Sequence, residues 1–437
     1  MSGAASSPLS GAYRAVWRWH FYAGLLVLPF LMMLALTGGL YLFASEIDDL
    51  AARPLNVVTP GPERVPAERW TAAARVAGGG QPVAVRVPER ADRAIQVVVQ
   101  PESGPRRTVF VNPYDGQVTG VAGAPLSDTF KRIHSLEIFG GGLNVVIEIV
   151  AGWAIILVAT GVFLWWPRGR KGGVVSLSTR DPARRPFWRD LHAVTGIFAG
   201  GVIVFLAATG MLWSAVWGDQ VMGTLRAAGL GRPPAPAAQN WEHAHHAPAP
   251  EGLGWTLQGS VLSAPESRLD LDAVLATAAA NHVAAPFTVN LPSRPEQAVS
   301  VAVRNTRVQD SRTLYTDGTG QLLGDIRYEQ YGWAARMFEW SIFTHQGTQY
   351  GTINRIVMLL ACIAVWVMGV SAMVMWWKRR PKGRLAAPVS PPGPRARAAV
   401  LGIVLPLAIL YPLTGLSLLA AVAVDRLWRL VRRPAAV

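Results

Sequence analysis

Four of the eight histidines stand at repeated positions in the sequence, and their side chains are the first candidates for chemistry. His20 and His192 lie near the start of apolar runs, and each is followed four residues later by a glycine, Gly24 or Gly196. The other two, which each precede a Trp-Trp pair by 31 residues, are His134 and His345. Ionisable residues in or beside a membrane helix are functional candidates by default, and neutral imidazole is a good ligand for haem iron.

Paired imidazoles would suit a haem. Two imidazoles from facing helices can fill both axial positions of a flat porphyrin, and a glycine one turn away would let the macrocycle approach the helix backbone. Bis-histidine ligation leaves no open position for O₂, so its natural role is electron transfer. The repeat predicts His20 against His192 on the inner side of the membrane and His134 against His345 on the outer side. This arrangement would place two haems across the membrane.

Other roles stay open for these histidines. Each side chain could donate to a backbone carbonyl at a helix end. Zinc or copper ligation would need a third or fourth ligand, and no Cys, Asp or Glu repeats beside these positions. A pairing of His20 with His134 is conceivable only if a helix is strongly displaced.

Several basic residues near the four histidines could pair with haem propionates. An equally simple role for each is an interfacial cation whose stem lies along apolar surface. The inner candidates are Arg14, Arg18 and Arg189, and the outer candidates are Lys131, Arg132 and Arg336.

The composition is typical of a membrane protein, with 51% hydrophobic and only 16% charged residues. Five runs have the ~20 apolar residues that a bilayer crossing needs. They cover 20–43, 143–166, 192–217, 353–377 and 399–424. We expect a mostly α-helical bundle of four or five transmembrane helices and favour five crossings, with a re-entrant hairpin broken at Pro406 and Pro412 as the alternative for the last run.

The net charge of +14 is concentrated in three segments. The N-terminus and the loops 167–190 and 378–398 carry an excess of Arg and Lys, whereas the long segments 44–133 and 218–344 are nearly balanced. The positive-inside rule explains this pattern, so a nucleic-acid-binding surface is not needed to account for the positive charge. It predicts an inner-membrane protein with a cytoplasmic N-terminus and two periplasmic segments, while leaving the side of the C-terminal tail open.

The two long segments repeat each other without a gap. Residues 81–100 align with 285–304, and 109–120 with 313–324, at a constant offset. Alternating apolar residues over Ile95–Val99 and Val299–Val303 and a turn at Asp115-Gly116 predict antiparallel strands. Amphipathic helices are predicted before them, over 65–77 and 268–281. Two α+β modules and a duplicated helical bundle are therefore expected, related by a pseudo-two-fold axis along the membrane normal.

These observations predict a linear order of domains. The boundaries are 1–43 for the N-terminal tail and first helix, 44–130 for the first module, 131–217 for two helices and a basic loop, 218–340 for the second module, 341–377 for the fourth helix, 378–398 for a basic loop, and 399–437 for the fifth helix and tail.

Of three further features, two have two interpretations each and the third has one. Glu148 could form an ion pair with Arg355 or carry a proton or substrate role. The cluster His243, His245 and His246 in a Pro/Ala-rich loop could bind metal but is typical of a solvated linker. Cys362, the only cysteine, is predicted to be a small buried hydrophobe.

The chain resembles the PepSY-associated transmembrane proteins, a family that includes inner-membrane siderophore reductases. The resemblance rests on VFVNPYDGQVTG and TLYTDGTGQLLG, WRWHFYAG and WRDLHAVTG, KRIHSLEIFGG and FTHQGTQYG, and LPLAILYPLTGLSLL. It implies two periplasmic PepSY modules, b-type haem and reduction of ferric siderophores to release iron. Carried over by position, it implies as haem ligands His20, His134, His192 and His345.

The leading hypothesis is a di-haem transmembrane oxidoreductase with no acid, base or nucleophilic catalyst. A quinol or another donor would supply electrons, and a ferric siderophore or other ferric chelate would accept them. A non-catalytic membrane module that binds or restrains a periplasmic partner such as a protease is the first alternative. A transporter is the second, because a parallel repeat with Glu148 in the membrane also suits one.

Overall fold

A computed structural model describes residues 8–167, 175–236, 239–243, 251–257, 260–380 and 394–431. The chain divides into two compact units, each assembled from separate stretches of sequence. We call the first the helical unit; it contains Met1–Leu42, Lys131–Val221 and Arg355–Val437. We call the second the sheet unit; it contains Phe43–Phe130 and Met222–Asn354.

The α-helices and strands are numbered in chain order. The helices are α1 Pro8–Tyr41, α2 Ala44–Asn56, α3 Ala67–Gly78, α4 Leu126–His134, α5 Asn144–Trp165, α6 Arg185–Met211, α7 Trp217–Ala227, α8 Leu271–Ala280, α9 Trp333–His345, α10 Gly351–Trp377, α11 Pro394–Leu410 and α12 Pro412–Val431. The strands are β1 Gly80–Val87, β2 Ile95–Pro101, β3 Arg107–Val111, β4 Val118–Ala122, β5 Trp241–His243, β6 Ser260–Leu262, β7 Phe287–Asn290, β8 Val299–Val303, β9 Arg312–Thr316 and β10 Leu322–Arg327.

Four helices in the described part of the chain are long and apolar enough to cross a membrane. Their spans are Gly11–Tyr41, Asn144–Trp165, Arg185–Met211 and Gly351–Trp377. Each exceeds the ~20 residues that the hydrocarbon core requires. Four of the five predicted spans are therefore confirmed.

The fifth apolar run does not form one helix. α11 ends at Leu410 and α12 begins at Pro412, so the break predicted at Pro412 is present. Proline is favoured at the first position of a helix because its missing N–H has no intrahelical acceptor there. The break predicted at Pro406 is wrong, since this residue lies inside α11, as proline can within apolar membrane helices. The fifth crossing that we favoured therefore lacks a continuous helix.

α5 occupies a central place among the helices of the helical unit, where it contacts α1, α6, α11 and α12. Its buried residues include Val150, Trp153 and Ile156, which form one apolar core with Val16 and Val27 of α1. This packing holds α1 and α5 side by side. It thereby fixes the positions of the side chains that project from them.

The sheet unit contains an eight-stranded antiparallel sheet with the order β10-β9-β8-β7-β1-β2-β3-β4. We predicted two modules, and the structure joins their strands in this one sheet through β1 and β7. The pairing places Val85 directly opposite Val289. These are two residues that the offset between the long segments had aligned.

One face of this sheet is covered by α3 and α8. The predicted alternation buries Val85, Val97 and Val289 in one core with residues of both helices, such as Ala74 and Val274. Both helices begin and end within three residues of the predicted bounds. The predicted strands at Ile95–Val99 and Val299–Val303 are also present as β2 and β8.

Two glycines at aligned positions in the turns after β3 and β9 provide a matched test of this arrangement. Gly116 has φ +75° and Gly320 has φ +85°, a region that costs L-residues about 1–2 kcal/mol. A Cβ at Gly320 would also lie 2.8 Å from the backbone of Ala273 in α8, whereas at Gly116 the nearest atoms are 3.7 Å away.

We therefore expect Gly320→Ala to destabilise the protein by more than Gly116→Ala, which should cost about 1–2 kcal/mol. The measurement is the thermal unfolding midpoint of the purified full-length variants. Equal midpoints for the two variants would contradict the close approach of this turn to α8.

Candidate functional site

The rings of His20 in α1 and His192 in α6 face each other within the helical unit. Their ring centroids are 6.3 Å apart and their planes are nearly perpendicular, at 85°. If both rings bound one metal ion, two metal–nitrogen bonds of about 2 Å and about 1 Å from each nitrogen to its ring centre would place the centroids about 6 Å apart. An edge-to-face aromatic contact would have a similar separation. The protonation of the ring nitrogens is therefore needed to judge whether the pair could bind a metal.

The proton on His20 is located by its hydrogen bond to α5. The Nδ1 atom lies 2.8 Å from Thr160 Oγ1. The hydroxyl proton of Thr160 is itself donated to the Ile156 carbonyl at 2.7 Å. Because this hydroxyl therefore accepts from the ring, Nδ1 carries the proton and Nε2 keeps its lone pair.

His192 has the same tautomer for a related reason. Its Nδ1 lies 3.0 Å from the Met368 carbonyl of α10, which can only accept, and 3.3 Å from Ser371 Oγ. Nε2 of His192 therefore also keeps its lone pair. Histidines that bind metals generally donate their other N–H to a carbonyl, a carboxylate or water, which fixes the ring orientation and raises its basicity as a ligand.

The surroundings of the two rings match position by position. Thr160 and Ser371 each lie five residues before their Trp pair. A Cβ at Gly24 would lie 3.9 Å from Leu157, and one at Gly196 would lie 3.3 Å from Met368. Leu157 and Met368 each lie eight residues before the same pairs.

Sequence reasoning missed the two hydroxyl residues. The signal that could have found Thr160 and Ser371 was their shared distance from the Trp pairs, the same spacing that had identified two of the histidines. The glycines that we assigned to the macrocycle, Gly24 and Gly196, face side chains of α5 and α10. Their role beside a porphyrin stays a prediction.

His134, the last residue of α4, repeats this hydrogen bonding with a residue of α1. Its Nδ1 lies 2.9 Å from Thr37 Oγ1, and Thr37 donates its own proton to the Met33 carbonyl at 2.8 Å. Burial lowers the pKa of His134 to about 4, so the ring is neutral at physiological pH. A Cβ at Gly38 would lie 3.3 Å from the ring, so a glycine here allows the close approach.

His345 is the half-buried last residue of α9 and belongs to the sheet unit. Its predicted partner His134 belongs to the helical unit. Because the two residues belong to different units, their pairing stays a prediction.

The family model for the PepSY-associated TM region matches residues 17–379. The chain belongs to this family. The match includes all four histidines and both Trp pairs, and it confirms the family that the sequence resembled. No curated protein matches the chain. Four membrane-spanning helices and this family identify a membrane protein with a sheet-rich part.

In this PepSY-associated protein, the basic candidates for propionate binding have varied surroundings. Arg18 lies over the ring of Tyr22, at 5.1 Å, and Arg189 forms an ion pair with the buried carboxylate of Asp190 at 2.6 Å. The remaining candidates have exposed side chains, and their role stays a prediction. They are Arg14, Lys131, Arg132 and Arg336.

Glu148 is almost completely buried near the start of α5, at 1% exposure. The sequence favoured an ion pair with Arg355, but the partners of Oε2 in the structure are the backbone N–H groups of Val216 and Trp217, at 3.3 and 3.2 Å. Oε1 has no hydrogen-bond partner within the described residues. The carboxylate therefore caps the start of α7, where N–H groups lack intrahelical acceptors.

The other candidate ligands do not form a metal centre within the described ranges. No group of three or more His, Cys, Asp or Glu could hold an ion there, so the zinc or copper alternative gains no support. His243 ends β5, while His245 and His246 lie outside the described residues. Cys362 is half-buried in α10, 3.7 Å from where a Cβ on Gly39 would lie.

The cap at α7 can be tested with two substitutions. Glu148→Ala should lower stability by about 1–3 kcal/mol, because two N–H groups lose their acceptor. Glu148→Gln should lower it less, because the amide oxygen can still accept. Thermal unfolding of the purified protein is the measurement. An alanine variant that unfolds at the wild-type temperature would contradict the capping role.

Proposed function

We propose that this chain is a di-haem oxidoreductase of the bacterial inner membrane that passes electrons to a periplasmic ferric chelate and releases Fe(II). The observation that carries the proposal is the facing pair His20 and His192. Each ring presents an unprotonated Nε2 while its Nδ1–H is held by a neighbouring helix. The 6.3 Å separation of their centroids is compatible with one iron between the two rings and supports the proposal.

The residues present fit a bis-histidine haem. Bound haem would be held by His20 and His192 and would supply a reversible one-electron change at iron; with both histidines as ligands it would not bind O₂. The protein's own contribution is to hold both rings in one tautomer and one orientation. Thr160 does this for His20, and the Met368 carbonyl does it for His192.

A second haem is proposed on His134 with His345 as its partner. His134 supports this role because its Nδ1 is held by Thr37 in the way that Thr160 holds His20. The proposal also uses the internal duplication of the chain. Two observations support that duplication. Val85 in β1 pairs with Val289 in β7, and the glycines that follow His20 and His192 have neighbours at matched positions in α5 and α10.

The proposed orientation places the N-terminus and both basic loops in the cytoplasm. Contacts between these segments support it. Arg379 at the end of α10 lies 4.1 Å from the ring centre of Trp17 in α1, and Lys378 donates to the Ala183 carbonyl before α6 at 2.9 Å. One end of the helical unit therefore gathers the basic segments, as the positive-inside rule requires. The sheet unit would then be periplasmic.

The proposed reaction is a one-electron reduction of a chelated Fe(III) to Fe(II). Carboxylate, catecholate and hydroxamate oxygens bind Fe(II) less strongly because its charge is lower, so the metal leaves the chelate. The substrate class comes from the family resemblance, and a membrane quinol is the proposed donor of the electron. The chain needs no general acid or nucleophile for this step, because its residues orient and tune a redox group.

The central test is the visible spectrum of the purified full-length protein with its pyridine haemochrome. We expect a b-type haem in the wild type and loss of about half of it in His20→Ala or His192→Ala, because each histidine would hold the same haem. The matched control is His282→Asn, which changes an exposed histidine with φ +56° to a residue that tolerates this conformation.

Two results would contradict the proposal. One is wild-type protein, purified after expression with ample haem, that contains no haem. The other is a normal haem content in both histidine variants. Reduction of ferric hydroxamate and catecholate chelates by quinol-reduced protein then tests the substrate class. Haem-loaded protein that cannot transfer electrons to any ferric chelate would contradict the reductase but not the haem site.

A second prediction concerns the hydroxyl that accepts from His20. Thr160→Val removes the acceptor while keeping the side-chain shape, so the imidazole becomes a poorer electron donor to ferric iron. The reduction potential should rise by a few tens of millivolts. Ser371→Ala should shift it less, because the Met368 carbonyl remains 3.0 Å from His192 Nδ1. Redox titration of both variants tests this, and an unchanged potential in Thr160→Val would contradict it.

A further inference from the structure

α4 is an amphipathic helix whose apolar side chains are not fully covered by the described residues. Leu126, Phe130 and Ile133 follow one another at the spacing that places side chains on one face of a helix. Leu126 is 49% exposed, the other two are half-buried, and no residue of α4 is buried. The apolar faces of α3 and α8, by contrast, lie in the core of the sheet unit. The apolar face of α4 therefore remains open to a partner.

The turn that follows α4 exposes two more large apolar side chains. Ile138 is 41% exposed and Phe139 is 68% exposed. The turn itself is well held, because the N–H of Phe139 donates to the carbonyl of Leu136 at 3.0 Å and the side chain of Leu136 is buried. Contiguous exposed apolar surface of this kind usually marks contact with a protein or a membrane.

The connection to α5 selects the membrane as the partner. α5 begins at Asn144 and is one of the four helices able to cross a bilayer. The chain from Phe139 to Asn144 can extend over at most about 18 Å, so the turn lies close to the membrane surface. The face of α4 opposite the apolar side chains carries Asp128, Lys131 and Arg132. Helices with one apolar face and one charged face lie in the headgroup region of a bilayer.

The second half of the chain repeats these exposed apolar positions. Leu126 and Met337 each lie eight residues before an outer histidine, and Phe139 and Tyr350 each lie five residues after it. Met337 is 60% exposed and Tyr350 is 59% exposed. Trp333, one helical turn before Met337 in α9, is 57% exposed. The spanning helix α10 begins at the residue after Tyr350, so this second segment has the same connection to the membrane.

We propose that these two segments are interfacial anchors that insert apolar side chains into a phospholipid leaflet. The first anchor is α4 with the turn to Phe139, and the second is the exposed face of α9 with Tyr350. Both enter the leaflet at which α5 and α10 begin. The apolar side chains reach the boundary between headgroups and acyl chains, while the charged face of α4 stays in water. The proposal is independent of haem binding, because it uses none of the four histidines.

The test is electron paramagnetic resonance of spin-labelled, full-length protein in nanodiscs of phosphatidylethanolamine and phosphatidylglycerol. Each variant carries one cysteine in a Cys362→Ala background, which removes the native thiol. Power saturation compares the collision rates of the label with O₂, which concentrates in the bilayer, and with a water-soluble nickel chelate. The four anchor variants are Leu126→Cys, Phe139→Cys, Met337→Cys and Tyr350→Cys.

Two control variants place the label on surfaces that should face water. Val76→Cys replaces an apolar residue of α3 that is 85% exposed, and Asp128→Cys lies on the charged face of α4. We expect the ratio of O₂ to nickel accessibility to be at least about threefold higher at the four anchor positions than at these controls. The thermal unfolding midpoint of each labelled variant verifies that it is folded.

Two results would overturn the proposal. One is a ratio at positions 126 and 139, or at positions 337 and 350, that equals the ratio at Val76, because that anchor would then face water. The other is low accessibility to both reagents at either pair of positions, because the apolar side chains would then contact protein, such as a second copy of the chain.

Discussion

The proposed chemistry depends on one interaction, the hydrogen bond that three of the four candidate histidines donate from Nδ1 to an acceptor on another helix. A free imidazole exchanges its proton between two nitrogens and rotates about two side-chain bonds. Thr160, the Met368 carbonyl and Thr37 remove this freedom from His20, His192 and His134 respectively. The same hydrogen bonds that leave Nε2 unprotonated also tie the helices together. The contacts that pack these helices together therefore also orient the histidines and fix their tautomer as metal ligands.

This constraint explains why hydroxyl residues occur inside such apolar helices. A threonine or serine hydroxyl that donates to a carbonyl of its own helix is satisfied as a donor, and its oxygen is left as an acceptor. Thr37 and Thr160 both do so. The buried carboxylate of Glu148 is likewise an acceptor on one helix that binds donors from another segment. It accepts from two N–H groups at the start of α7 that have no partner within that helix.

Much of the fold could be predicted from the sequence, because long apolar runs and alternating strands are strong local signals. Four membrane spans, the helices α3 and α8, and the strands β2 and β8 followed directly from them. The last apolar run was harder, since hydropathy cannot distinguish Pro406 inside a helix from Pro412 at a helix start. Which proline ends a helix depends on backbone pairing that composition does not record.

The site was predictable only in part. Repeated spacing identified His20 and His192 as partners, and the structure brings their rings together. The acceptors were missed because a single hydroxyl in an apolar helix gives no signal without its repeat. The capping contact of Glu148 was missed for a different reason. Charge complementarity suggested only Arg355, whereas the backbone N–H groups at 216–217 come from a distant part of the chain and give no signal in the sequence.

The perpendicular arrangement of the two rings offers the most direct test of the central claim. Electron paramagnetic resonance of the oxidised, purified protein reports both the axial ligands of ferric haem and the angle between their planes. With His20 and His192 at 85°, the account predicts a highly anisotropic low-spin ferric component from one of the two haems, which disappears when either histidine is replaced while the signal of the second haem remains. A wild-type spectrum without such a component, or a component of unchanged intensity in both variants, would contradict it.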